Sequence, residues 1–302
     1  MTEYKTIDDL KNAMSGNTLK AYMNYWGNDN ELYRFLPDSY VNRSLTEYIK
    51  SRKIEVKGKR VLEFGCRDGS SFITFLSLEA EKIVGMDIDK EMLELSGMIY
   101  SDFGYDNIEY IKNEINENLP VKDEEFDIIS CNAVFEHIHP EMRKKYILEL
   151  QRKLKTGGYF IVSDTPNKLW LKEGHTTGIW FLNFFPFRLK CWFASKTKRY
   201  AGVKPGDYDY WIEQGIEGVY YGSVIKYFSR NKWINDEDKK FKREYSRQIF
   251  NDVNRKFVKR ILRYILFLYA FFFDIIYLRP KGYPGLAISP TLMFSFKKRD
   301  SI

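Results

Sequence analysis

The sequence predicts an α/β fold, a parallel sheet with helices on both faces. Two observations carry this. Between Lys59 and Asn167, short apolar runs of β type alternate with helical runs until five strands are placed. The first of these runs, "RVLEFG", ends on glycines spaced to open a helix.

Each element follows from its local pattern. Residues 1–57 read as helical, because "TIDDLKNAM" and "SYVNRSLTEYIKSRK" carry apolar residues three and four apart. "GSSFITFLSLEA" is a helix with Ser70 or Ser71 as cap. "KIVGMDI" is a strand, "KEMLELSGMIYSDFG" a helix and "NIEYIKNEI" a third strand. "FDIISCNAVFEHI" holds a fourth. "PEMRKKYILELQRKLKTGG" is a helix stopped by glycine, and "YFIVSDTPN" is the fifth strand. Sheets of this kind bind ligands outside the carboxyl ends of their strands. That rule places "GCRDG", "DIDK", "NEIN", "CNAVFEH" and "DTPN" on one rim.

The residue types on that rim narrow the ligand. Gly65 and Gly69 permit a bend against which a ligand can lie, and the helix that follows offers unpaired N–H groups. A dinucleotide fingerprint is absent, since Arg67 stands where its second glycine would be. Glu63, before the bend, disfavours a phosphate. Asp87, about 20 residues on at the end of the second strand, suits the two hydroxyls of a ribose.

Taken together, residues 59–166 resemble the class I S-adenosylmethionine-dependent methyltransferases, close to the group that includes ubiquinone-biosynthesis and glycan-tailoring enzymes. The family's acidic residue and spaced glycines fall on Glu63, Gly65 and Gly69, with Arg67 in place of the usual central glycine. The resemblance implies a Rossmann-like sheet of seven strands, the last antiparallel, with "GLAISPTLMFSFKKR" as one of the final two. It implies S-adenosyl-L-methionine as cofactor. The donor's methionine part would lie on Glu63, Gly65, Cys66, Arg67 and Gly69, and its ribose on Asp87 and Ile88. Its adenine would meet Glu114 or Ile115, with Asn132 lining the pocket. Three regions are expected: helical residues 1–57, a cofactor core over 58–167, and a substrate-side elaboration with the last strands over 168–302.

Methyl transfer from a sulfonium needs alignment and, for an aliphatic hydroxyl, a base. The chain has three histidines. His137 and His139 follow the fourth strand and His175 follows the fifth, so each is a candidate base; a structural role for "EHIHP" and a reaction without a protein base stay open. Asp164 and Asn167 are candidates to orient a substrate hydroxyl. No metal-ligand spacing is visible, and no metal is expected. Three cysteines without paired spacing argue against a disulfide framework, and with no secretory signal in "MTEYKTIDDLKNAM" a cytoplasmic location is expected.

The net charge of +7 is uneven: residues 1–225 carry −4, residues 226–263 carry +8 and residues 264–302 carry +3. Nucleic acid is thus a disfavoured partner, because the cofactor core is mildly acidic. The aromatic "GIWFLNFFPFRLKCWFA" and the run Tyr264–Phe273 leave two expectations, core elements or a peripheral contact with an anionic membrane. That run is too short to span a bilayer. The favoured acceptor is a sugar or lipid-linked saccharide, O-methylated, with Trp170, Trp180, Trp192 and Trp211 available to stack on sugar rings. A quinone- or isoprenoid-type lipid, RNA, and a non-catalytic role are the alternatives.

Overall fold

Why the first helices form is written in their caps. The computed structural model describes residues 4–115, 118–235, 268–269, 272–281, 283 and 290–300. Helix α1 (Ile7–Ala13) starts on a capping box between Thr6 and Asp9. Helix α2 (Gly16–Trp26) is capped by Ser15 and stops at Gly27, whose φ of 72° ends the helix. Helix α3 (Tyr40–Ser51) starts at Ser39 and buries Leu45, Tyr48 and Ile49.

The predicted alternation is then realised. Strand β1 (Arg60–Phe64) leads through the glycine bend to α4 (Phe72–Ser77), and β2 (Lys82–Asp87) leads to α5 (Lys90–Asp102). Strands β3 (Ile108–Lys112) and β4 (Phe126–Asn132) follow, then α6 (Pro140–Lys153) and β5 (Leu154–Pro166). Beyond β5 come α7 (Phe187–Ser195), α8 (Tyr208–Glu213), α9 (Tyr221–Ile225), β6 (Trp233–Ile234) and β7 (Thr291–Lys298). The sheet has seven strands in the order β3-β2-β1-β4-β5-β7-β6, with β1 parallel to both β2 and β4 and β2 parallel to β3. This is the predicted Rossmann-like class, and β7 lies within the stretch expected to supply a late strand.

One boundary differs from expectation. Helix α6 ends at Lys153, and the residues expected to finish it open β5 instead. Lys153 is held by Val121 O at 2.6 Å and by Asp123 at 2.9 Å, and Lys155 by Asp127 at 2.9 Å. A Cβ at Gly158 would stand 2.7 Å from Asp127 O, so glycine here permits close strand pairing rather than a helix cap.

Two compact units share the chain. The first comprises residues 1–132, 148–161 and 296–302; the second comprises 133–147 and 162–295. In the first, Phe72 packs on Tyr100 at 5.4 Å, and Tyr100 donates to Gly69 O at 2.6 Å, tying α5 to the glycine bend. In the second, Leu182, Cys191, Ala194, Tyr200, Trp211 and Ile216 form one core. The basic residues 236–263 and most of the run Tyr264–Phe273 lie outside the described residues. Among the described residues, no helix is long and apolar enough to cross a membrane.

Candidate functional site

In the first unit, everything converges on the end of β2. Asp87 is 8% exposed. Its Oδ2 accepts from Arg67 N at 2.8 Å and its Oδ1 from Asp89 N at 3.0 Å. Two backbone donors thus fix the carboxylate before any ligand arrives, as preorganised binding requires. Asn113 N donates to Asp87 O at 2.8 Å, which brings the end of β3 alongside. Ile88, 52% exposed, and Ile115, 61% exposed, present apolar side chains to solvent at these strand ends. Glu114 is exposed and pairs with Lys112.

The bend after β1 is built as its sequence requires. Gly65 and Gly69 have φ of 74° and 75°. A Cβ at Gly69 would lie 2.4 Å from Ser96 Oγ and 2.7 Å from the Phe72 ring, so no side chain fits. Arg67 takes the same left-handed backbone, φ 48°, in the place of the family's glycine. Its guanidinium turns onto the Trp26 ring, 5.3 Å from the centroid. Glu63, 1% exposed, accepts from Ser71 Oγ at 2.9 Å, and burial pushes its carboxyl up to about 7. Cys66 is buried beside it, and burial raises its thiol well above the usual range. Asn132 closes β4, half-buried, with Cys131 fully buried before it.

Sequence reasoning missed the part α2 plays. Tyr25 donates to Asp89 Oδ2 at 2.9 Å, and Trp26 carries the Arg67 contact. Asp68, fully buried, caps Ser70 N at 3.2 Å and faces Arg34 at 3.9 Å. The aromatic run "YMNYW" was the only available signal, and an aromatic run marks core as often as a site.

In the second unit, two of the three candidate histidines come together. The rings of His137 and His175 lie 5.2 Å apart, edge to face. His137 Nδ1 sits 2.5 Å from Glu213 O. A carbonyl only accepts, so Nδ1 carries the proton and Nε2 is the basic nitrogen of the neutral ring. His175 rides on a loop pinned by Glu173, whose carboxylate accepts from the backbone N–H of His175, Thr176 and Thr177 at 3.0, 2.9 and 2.6 Å. His139 stands apart, facing the exposed carboxylates of Glu141 at 3.5 Å and Asp209 at 3.9 Å.

Glu136 joins the pair and was not singled out as a site residue. It is fully buried, and Oε1 lies 3.8 Å from His137 Nε2. Burial pushes its carboxyl up to about 8. Donor atoms of Glu136, His137 and His175 all lie within 4.8 Å of one another. Gly215 makes room for them, since a Cβ there would stand 2.9 Å from the His175 ring and 3.1 Å from Glu136 Cγ. Ala133 and Asp164 hold left-handed backbone at φ 53° and 50°, and strain of this sort gathers at working sites.

The decisive comparison concerns the chain's middle half. Residues 55–213 match the family described as "Methyltransferase domain". The chain belongs to the class I S-adenosylmethionine-dependent methyltransferases. Among its relatives, an uncharacterized methyltransferase, YcgJ, of Bacillus subtilis is 31% identical over 35% of this chain and 40% of its own. A phthiotriol/phenolphthiotriol dimycocerosates methyltransferase of Mycobacterium ulcerans is 30% identical over 37% of this chain and 39% of its own. The ubiquinone biosynthesis O-methyltransferase of Rickettsia bellii is 23% identical over 72% of this chain and 87% of its own. The match to the first two spans less than half of either relative. The fixed carboxylate at the end of β2 and the bare bend after β1 lie at the carboxyl ends of adjacent parallel strands, the rim on which sheets of this kind bind ligands.

Proposed function

We propose that the protein transfers a methyl group from S-adenosyl-L-methionine to an oxygen of a sugar or a lipid-linked saccharide. The observation that carries methyl transfer is Asp87, buried at the end of β2 with both oxygens held by backbone N–H groups. In this reading Asp87 takes the ribose hydroxyls with Ile88 beside it, Gly65–Gly69 faces the methionine tail, Glu114 or Ile115 meets the adenine, and Asn132 lines the pocket. The donor's sulfonium supplies an electrophilic methyl. The chain's part is to align the acceptor and take its proton.

His137 and His175 are the pair for that proton. The Glu213 carbonyl sets the His137 tautomer, and Glu173 sets the position of His175. Glu136, protonated at neutral pH, adds no negative charge beside them.

The acceptor follows from weaker support. Trp170 and Trp211 are buried and serve the core, whereas Trp180 and Trp192 are exposed and suit a sugar ring or a lipid surface. Two relatives, one named for phthiotriol/phenolphthiotriol dimycocerosates and one for ubiquinone biosynthesis, favour a lipid over RNA. The second reading is therefore a quinone- or isoprenoid-type lipid. Tritiated-methyl transfer into extract fractions separated as lipid, glycan, RNA and protein tests the class. Label in the glycan or lipid fraction, reduced at least ~10-fold by His175→Ala with donor affinity unchanged, is the expected result. Label confined to RNA or protein contradicts it.

A further inference from the structure

Helix α7 is turned inside out. Its exposed residues are Arg188, Leu189, Trp192 and Phe193, with Lys196 just past the end, at spacings of one helical face. Its buried residues include Lys190, Cys191 and Ala194. A helix that presents leucine, tryptophan and phenylalanine to solvent while burying a lysine is not arranged for water on that side. The preceding turn does the same. Trp180, Phe181, Phe184 and Phe185 are 38%, 55%, 51% and 41% exposed. Phe185 packs on Phe193 at 5.5 Å, which joins the turn to the helix face. Phe181 also holds left-handed backbone, φ 65°, a cost that buys no burial of its ring.

Charge completes the pattern. From Gly174 to Gly206 the chain carries Arg188, Lys190, Lys196, Lys198, Arg199 and Lys204 and no aspartate or glutamate. Lysines and arginines flank the rings: Lys172 stands over Trp180 at 6.0 Å, Lys196 over Trp192 at 5.6 Å and Arg188 over Tyr208 at 5.9 Å. Exposed apolar patches of this kind on a soluble protein mark an interaction surface. Lys190 is buried against Glu217, but aromatic rings beside the exposed Arg188 and Lys196 match the boundary of an anionic bilayer, where rings enter the headgroup layer and cations meet lipid phosphates.

We infer that the face formed by Trp180, Phe181, Phe184, Phe185, Trp192 and Phe193, edged by Arg188 and Lys196, is a docking surface for an anionic lipid bilayer. It deepens the lipid-linked reading of the acceptor and names the partner that would present it. Its test needs no acceptor, so its failure is separate from failure of the methyl-transfer reading.

Co-sedimentation of the full chain with vesicles of phosphatidylcholine alone, and of phosphatidylcholine mixed with phosphatidylglycerol, decides the matter. The expected result is binding to the mixed vesicles that weakens with salt, and little binding to phosphatidylcholine alone. The double variant Trp192→Glu/Phe193→Glu should lower partition into mixed vesicles by at least ~10-fold. Arg188→Glu/Lys196→Glu, which keeps the rings, should do so at low salt. Unchanged S-adenosylhomocysteine binding and far-ultraviolet circular dichroism confirm that each variant is folded. Absence of vesicle binding overturns the inference. So does binding that neither double variant changes, and so does a dimer that the ring variant dissociates without any vesicle binding, which would give the face to a second copy.

Discussion

Glu63 shows how one residue couples the bend after β1 to pH. Its carboxyl is buried, and burial lifts it to about 7, with the Ser71 hydroxyl opposing that shift. The folded chain therefore holds this proton where the unfolded chain has released it. The stability it contributes is full below the unfolded value near 4.5 and is lost as pH rises through about 7. Glu63→Gln keeps an acceptor for Ser71 and removes the charge. Thermal melts should show the variant more stable than wild type at pH 8, on the order of 2–3 kcal/mol, with the gap closing toward pH 5. An equal gap at both pH values would mean that Glu63 is not the titrating group. Arg67 carries the other lesson at this scale. Its position was readable as a departure from the family's glycine. That an arginine would adopt the glycine's left-handed backbone and lay its guanidinium on Trp26 was not, because the partner ring lies 41 positions away and no local pattern links them.

At the scale of elements, the β1–α4 turn was legible because its constraint is local. Gly69 must be glycine for two reasons, its φ of 75° and the absence of room between Ser96 and Phe72. Gly69→Ala should destabilise the chain by about 2–4 kcal/mol in urea unfolding, combining a left-handed penalty with overpacking. A loss under about 0.5 kcal/mol would show that the turn relaxes freely. Where constraints are tertiary, legibility ended. The stop of α6 at Lys153 depends on Val121 and Asp123, 32 and 30 residues earlier, so the glycines that read as a helix cap proved to belong to a strand. The two-residue strand β6 is too short to carry a period. Helix α7 was visible as an aromatic and basic stretch. Which of its rings face outward depends on the core that Cys191 and Ala194 enter.

Across the whole molecule, the fold class was readable because strand and helix periods alternate so regularly from Lys59 onward. The histidine pair was readable only as separate candidates. Residue type and rim position named His137, His139 and His175, but only folding shows that His137 and His175 meet beside a buried Glu136 and that His139 turns to Glu141 and Asp209. Glu136 was readable only as part of a structural "EHIHP", because burial, not sequence, makes its carboxyl unusual. All of the functional reading depends on a nucleoside donor held at the end of β2. Calorimetric titration of S-adenosylhomocysteine into the wild-type chain and Asp87→Ala tests this most directly. The account predicts one site of micromolar affinity, weakened about 10-fold in the variant, which is about 1.4 kcal/mol for a lost charge-assisted hydrogen-bond pair. No heat with the wild type, or equal affinity in the two proteins, would contradict it.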